Sequence, residues 1–290
     1  MSNEKLRQIT VEAGRQEAER QAEVAQKAHN PTFTSVRAKW KLPVVESAEM
    51  LLVGLDGGGV ASRDNPGGME GKVGVVATEM EPVGIKGRRK LSLRKVVATF
   101  GDSQELGVLA CASAEELGGH GADKAVVLGD RAGWIKTQAR QHFARAVKIL
   151  DWPHLWRATQ KAVRAARPGR ACTAERHRLY EQLRDYLWQG RVSDAIELPI
   201  GLRGNQRVEA LEAAITYISN QRDWIGNYEE WKQTGYPIGS GMIERQVELV
   251  IDRRMKRQGM RWLRANADAL VALRVNQINH DWEQPQKLAA

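Results

Sequence analysis

Apolar residues follow two rhythms along the chain. Up to about residue 150 they form short runs or alternate with polar ones, and beyond it they recur at helical spacing. Met50–Asp56 is an apolar run closed by an acid, which reads as a buried strand. Gly71–Met80 (GKVGVVATEM) and Leu93–Phe100 (LRKVVATF) alternate and are rich in valine, so both read as strands. Glu81–Lys90, between them, is rich in Pro, Gly, Lys and Arg and reads as a turn region. Ser103 to about Gly118 predicts a helix, Lys124–Asp130 a fourth strand, Ala132 to about Phe143 a helix, and Ala146–Leu150 a short fifth strand. Three strands joined by short turns predict an antiparallel meander, and strands reached through helices predict parallel pairing.

From Asp151 onward strand signals vanish. Leu155 to about Gln233 carries Ala, Arg, Glu, Leu and Gln at helical spacing, broken at Pro168-Gly169 and from Pro199 to Gly204, and reads as a helical insertion. Gly241 to about Trp282 reads as two helices divided near Gly259. At the other end, Lys5 to about Lys27 has few large apolar residues and predicts a solvated helix, joined to the body by His29–Val36. The expected segments are 1–45, an N-terminal helix and linker; 46–154, the first part of an α/β core; 155–235, the insertion; and 236–290, the closing helices.

Composition narrows the class. The 290 residues are 42% hydrophobic and 27% charged, as in a globular protein with a full core. No apolar run approaches the roughly 20 residues of a membrane span, and the polar N-terminus lacks the apolar core of a secretory signal. A cytoplasmic location is therefore expected. A net charge of +9 suits a polyanionic partner. Cys111 and Cys172 lie far apart, match no zinc spacing, and read as ordinary thiols in a reducing compartment. Of nine tryptophans, Trp152, Trp156, Trp188, Trp224 and Trp231 fall in or beside the insertion, where packing between helices is the expected role.

Three acids carry the candidate chemistry. Asp56 and Asp130 each close an apolar run, and Glu244 follows Pro237-Ile238-Gly239-Ser240-Gly241 at the start of a helix. Ile243, Val247, Val250 and Ile251 give that helix an apolar face to lay on a sheet, and Ser240 is a candidate N-cap. Two metal ions about 3.5–4 Å apart, held by carboxylates, can grip the attacking and leaving oxygens of a phosphodiester. Asp64, Asp102, Glu105 and Asp123 leave the choice of acids open at this point.

Five segments settle that choice by resemblance. VGLDGGGV (Val53–Val60), KAVVLGDRAGWI (Lys124–Ile135), AVKILDWPHL (Ala146–Leu155), YPIGSGMIE (Tyr236–Glu244) and RMKRQGMRWL (Arg254–Leu263) stand in this order. They resemble the motifs of insertion-sequence transposases of the Kra type, where xDGTxV, GDGAxWIW, a D-x-x-H element shared with Mutator-like relatives, PIGSGxxE and R-x-K-x-x-GMxW are usual. The resemblance implies an α/β RNase H-like fold: a mixed five-stranded sheet with flanking helices, and an all-helical insertion before the last catalytic helix. It implies that Asp56, Asp130 and Glu244 form a DDE triad holding Mg2+, with Mn2+ as a substitute. Asp151 and His154 match the D-x-x-H element as secondary site candidates. The chain departs from the pattern at Arg131, where glycine is usual, at Gly58, where threonine is usual, and in having no helix-turn-helix or zinc module near its N-terminus.

The resemblance thus implies a DDE transposase that cleaves double-stranded DNA at the ends of a mobile element and joins them to target DNA, as a homodimer or higher oligomer in the bacterial nucleoid. Arg131, Arg253, Arg254, Lys256, Arg257, Arg261, Trp262 and Arg264 are the candidates for contacting DNA. The rivals are a non-catalytic or truncated DNA-binding derivative of a transposase, an actin-like sugar kinase using VGLDGGGV as its phosphate loop, and a dinucleotide-binding domain built on Gly57-x-Gly59-x-x-Ser62.

Overall fold

The computed structural model describes residues 2–29, 48–83, 88–130, 132–167, 173–202, 209–257 and 259–279. Arg131, Cys172 and residues 30–47, which take in the His29–Val36 link beyond its first residue, lie outside them. The chain folds as two compact units. Unit 1 comprises Met1–Val127, Ala132–Ala146 and Gly241–Ala290, and unit 2 comprises Leu128–Arg131 and Val147–Ser240.

Among the described residues seven strands form: β1 Met50–Val60, β2 Met69–Ala77, β3 Met80–Val83, β4 Arg88–Leu91, β5 Arg94–Thr99, β6 Lys124–Gly129 and β7 Val147–Leu150. Five make one sheet in the order β5-β2-β1-β6-β7. β1 and β2 are antiparallel, with Asp56 opposite Val73, and β2 and β5 are antiparallel as well. The Lys124 N–H donates to the Glu49 carbonyl at 3.2 Å, so β6 starts beside the start of β1 and runs parallel to it. The Asp151 N–H donates to the Gly129 carbonyl at 3.1 Å, which sets β7 parallel to β6. The meander and the parallel crossovers both match the pattern of the sequence.

Two expectations about the strands change. Glu81–Lys90, expected to be a turn region, lies within the β3–β4 hairpin, with Met80 opposite Leu91. β1 does not stop at Asp56 but continues four residues to Val60. Gly57, Gly58 and Gly59, which read as loop, stay in the ladder opposite Lys72, Gly71 and Glu70.

The reason lies in the helix laid across them. In unit 1 the helices are α1 Asn3–His29, α2 Ser103–Glu116, α3 Gly133–His142, α9 Gly241–Val247 and α10 Arg264–Asn279. α9 passes through a π turn, Glu248–Asp252, into a last helical turn, Arg253–Met255. A Cβ at Gly54 would lie 3.1 Å from the Ile243 Cβ, and one at Gly58 would lie 3.1 Å from the Val247 Cγ1. A Cβ at Gly71, opposite Gly58, would lie 2.5 Å from the Ile251 Cδ1. Glycines thus floor the seat of this helix, and Ile243, Val247, Val250, Ile251 and Met255 join valines of β2 and β5 in the core. The expected apolar face is correct at all four of its positions. Gly58, the departure from threonine, has a packing reason here.

α1 is less solvated than expected. Gly14, Glu17 and Ala25 are buried. A Cβ on Gly14 would overlap the Ala269 carbonyl of α10, and the Gln21 side chain donates to the Ala272 carbonyl at 3.2 Å. α2 is capped by Asp102, which accepts from the Glu105 N–H at 2.8 Å. Cys111 in α2 is buried, and burial pushes its thiol up to about 11.

Unit 2 contains α4 Trp152–Ala166, α5 Thr173–Trp188, α6 Val192–Leu202, α7 Glu209–Asn220 and the short α8 Tyr228–Gln233. Their buried rows are regular: Leu155, Thr159, Ala162 and Val163 in α4, and Leu179, Leu183 and Leu187 in α5. Pro199, an expected break, lies inside α6. The tryptophans pack as expected. Trp152 stacks parallel to Trp156, with ring centres 6.1 Å apart, and meets Trp188 edge-on at 4.8 Å and Tyr228 at 4.9 Å. Trp224 is fully buried.

Candidate functional site

Asp56 and Glu244 both belong to unit 1. Along a strand, alternate residues share a face, so Asp56 stands on the face that Gly54 and Gly58 turn to α9. Glu244 lies on α9 between Ile243, above Gly54, and Val247, above Gly58. The strand acid and the helix acid therefore lie within one stretch, bracketed by the two contacts. Asp56 is half-buried, and its Oδ1 accepts from the Gly57 N–H at 2.8 Å. Glu244 is exposed in the first turn of α9, where a carboxylate complements the helix dipole.

Asp130, Asp151 and His154 belong to unit 2. Asp130 is the first residue past β6 and is half-buried. With His154, Lys161, Glu209 and Tyr217 it lines a cleft of about 640 Å3 whose walls are alanines of α4 and α7. The sequence pattern did not single out Lys161, Glu209 or Tyr217. Their only signal was that Ala158/Ala162 and Ala210/Ala213/Ala214 recur at helical spacing.

Asp151 is fully buried. As N-cap of α4 it accepts the His154 N–H at 2.9 Å. The same oxygen meets the His154 Nδ1, and its other oxygen accepts the Ser240 N–H at 2.7 Å. A second tie joins the same segments, from the Trp152 N–H to the Ile238 carbonyl at 3.0 Å. Ser240, the candidate N-cap, thus has its own N–H held by Asp151 one residue before α9 begins. Asp151 and His154 are close enough for a carboxylate oxygen and an imidazole nitrogen to hold one metal ion together. Because both oxygens of Asp151 already accept hydrogen bonds, its evident work is to clamp two chain segments and fix the imidazole. Nearby, the buried Tyr228 hydroxyl donates to the Leu150 carbonyl at 2.9 Å, and burial, reinforced by Tyr217 and Asp151, raises its pKa well above the usual value.

The basic segment beyond the π turn is exposed at Arg253, Arg254, Lys256, Arg257, Arg261 and Arg264. Several of its cations meet acids of the same surface: Arg253 with Glu248 at 3.0 Å, Lys256 with Asp252 at 2.7 Å, and Arg264 with Asp268 at 3.2 Å. Hydrogen bonds from Arg245 and Arg253 hold the Glu248 carboxyl below its usual pKa. Arg261 donates to the Ser62 carbonyl at 3.1 Å, and the Trp262 indole donates to the Met255 carbonyl at 3.1 Å. The Trp262 main chain pairs beside the end of β1, taking a bond from the Arg63 N–H and giving one to the Ala61 carbonyl. Trp262 is thereby tied down rather than presented as a free aromatic face.

Among the described residues no helix is long and apolar enough to cross a membrane. No protein-family description matches the chain, and no curated protein matches it. Among solved structures the chain is similar to the Drosophila P element transposase strand transfer complex. That likeness has a TM-score of 0.25 and 9% identity, over 93% of this chain and 81% of that one. A likeness of that size carries no argument about fold or activity.

Proposed function

We propose that the chain is a DDE transposase of the Kra insertion-sequence type, with Asp56, Asp130 and Glu244 as its metal-holding acids. The observation that carries this reading is the seating of the Glu244 helix over the stretch of β1 that holds Asp56, on a floor of glycines. The order of the five motifs supports the assignment of Asp130. Bound Mg2+ would activate a water or a 3′-hydroxyl and steady the leaving oxygen. The three carboxylates would hold and space the ions, and Asp151 would fix the segment that leads into the glutamate helix. Exposed cations from Arg253 to Arg264 would contact DNA phosphates, exchanging weak surface ion pairs for charge-assisted ones.

The kinase and dinucleotide-binding rivals fare worse on an observation. The glycines of VGLDGGGV are paired in a β ladder with β2, which engages the backbone a phosphate loop must leave open, and a strand rather than a helix follows β1.

The test is cleavage of a supercoiled plasmid carrying the DNA that flanks the reading frame, with Mg2+. Wild-type protein should nick or linearise it, and D130N should be inactive while keeping its circular-dichroism spectrum. Cleavage retained in folded D130N overturns the triad, and DNA binding without cleavage by the wild type marks a non-catalytic relic.

A further inference from the structure

In unit 2 the outward face of α4 is a row of cations, Arg157, Lys161 and Arg164, all of them exposed. At 1.5 Å per residue the row runs about 10 Å along the helix. From Trp152 to Ala166 α4 has no acid of its own. Arg157 donates to the Pro153 carbonyl and Arg164 to the Tyr180 hydroxyl, each at 3.3 Å. Among the described residues none of the three cations meets a carboxylate, in contrast to Arg253, Lys256 and Arg264. Uncompensated charge of one sign along a helix is the footprint of a polyanion site. The row borders the cleft of about 640 Å3 that Asp130 lines, which lies wholly within unit 2. Lys161 belongs to both. The small alanines of α4 and α7 leave the cleft open, and Tyr217 adds an aromatic ring to its wall. A cleft of that size admits about one or two nucleotides and no double helix.

We infer that the α4–α7 cleft and its cationic border bind an unpaired stretch of the DNA strand on which Asp130 acts. The link to cleavage rests on the reading of Asp130 as a metal-holding acid, whereas the binding itself needs neither metal nor catalysis. Phosphates lie along Arg157, Lys161 and Arg164 in charge-assisted contacts. The bases turn the other way, into the cleft, where the alanine walls accept their flat faces and Tyr217 stacks on one of them. Glu209, on the α7 side, fixes that polarity: its carboxylate repels a phosphate and accepts from the amino group of a base. A fully paired duplex cannot enter, so DNA beside the cut must open to reach this site.

Fluorescence anisotropy in EDTA, with a labelled single-stranded oligonucleotide and the blunt duplex of the same sequence, tests this. Wild-type protein and D130N should both bind the single strand. R157A/K161A/R164A should weaken that binding about tenfold or more and make the slope of log K against log salt shallower by about 2. Ala213 is exposed on the cleft wall, so A213W fills the cleft without entering the core and should weaken single-strand binding about tenfold. Duplex binding, carried by the Arg253–Arg264 segment, should change little in either variant. With 2-aminopurine in the oligonucleotide, stacking on Tyr217 should quench its emission, and Y217L should restore it. If the alanine triple variant melts early, R157Q/K161Q/R164Q takes its place. Single-strand affinity unchanged in the triple variant or in A213W overturns the inference, as does an equal loss for single strand and duplex. A protein that binds the strand through these residues yet fails to cleave the plasmid overturns the proposed activity and leaves the strand site established.

Discussion

At the scale of single residues, Asp151 is the side chain whose chemistry is most constrained. A carboxylate removed from water is tolerated only when donors surround it, and here two backbone N–H groups and an imidazole do so. Truncation would strand those donors in a dry place and remove the α4 cap. D151A should therefore lower stability by about 2–4 kcal/mol, read as a drop in the urea midpoint, with D151N falling between it and wild type because an amide offers one acceptor oxygen. The D-x-x-H spacing was legible in the sequence as a motif. Its partner across the chain, the Ser240 N–H, was not, because a buried backbone donor leaves no mark in residue identity.

At the scale of elements, strands and helices followed the rhythm of apolar residues wherever one side faces water. The rhythm misleads where glycines replace it. Gly57–Gly59 look like the end of a strand, yet they continue it, because α9 comes too close for side chains at Gly54, Gly58 and Gly71. The β3–β4 hairpin was missed for a related reason, since Pro82 and the cations Arg88, Arg89 and Lys90 suit an edge ribbon as well as a turn. Asp56 and Glu244 were visible as acids near apolar runs, but their common stretch of strand and helix depends on that glycine floor. G54V should push Ile243 off the sheet and destabilise the fold by about 1–3 kcal/mol, measured by thermal melting, with G54A milder.

At the scale of the whole molecule, charge is the property the composition exposed most plainly. A net +9 is spread over a surface on which many cations already meet acids. Under the proposed function, affinity for DNA rests on those cations that can turn to phosphate. The double variant R254A/R257A should bind duplex DNA more weakly whatever its sequence. The slope of log K against log salt should become shallower by about 2, since each lost phosphate contact removes close to one released counterion. Fluorescence anisotropy over a salt series measures this, and an unchanged slope would place the DNA path elsewhere.

The π turn has a consequence for how that basic stretch is presented. An α-helix advances about 100° per residue, and a wider turn advances less. A regular continuation from Ile243 and Val247 would have brought position 254 round to the sheet side. With the wider turn, Met255 is buried there, while Arg253 and Arg254 are exposed. One surplus residue in the winding thus acts as a phase shifter, letting a single rod keep a greasy keel under its first half and an outward cationic comb on its second. Deleting a residue between Glu248 and Asp252 would restore the regular pitch and leave Met255 on the keel, whereas regular winding of the intact sequence would drive a guanidinium toward the keel and lift a methionine into water.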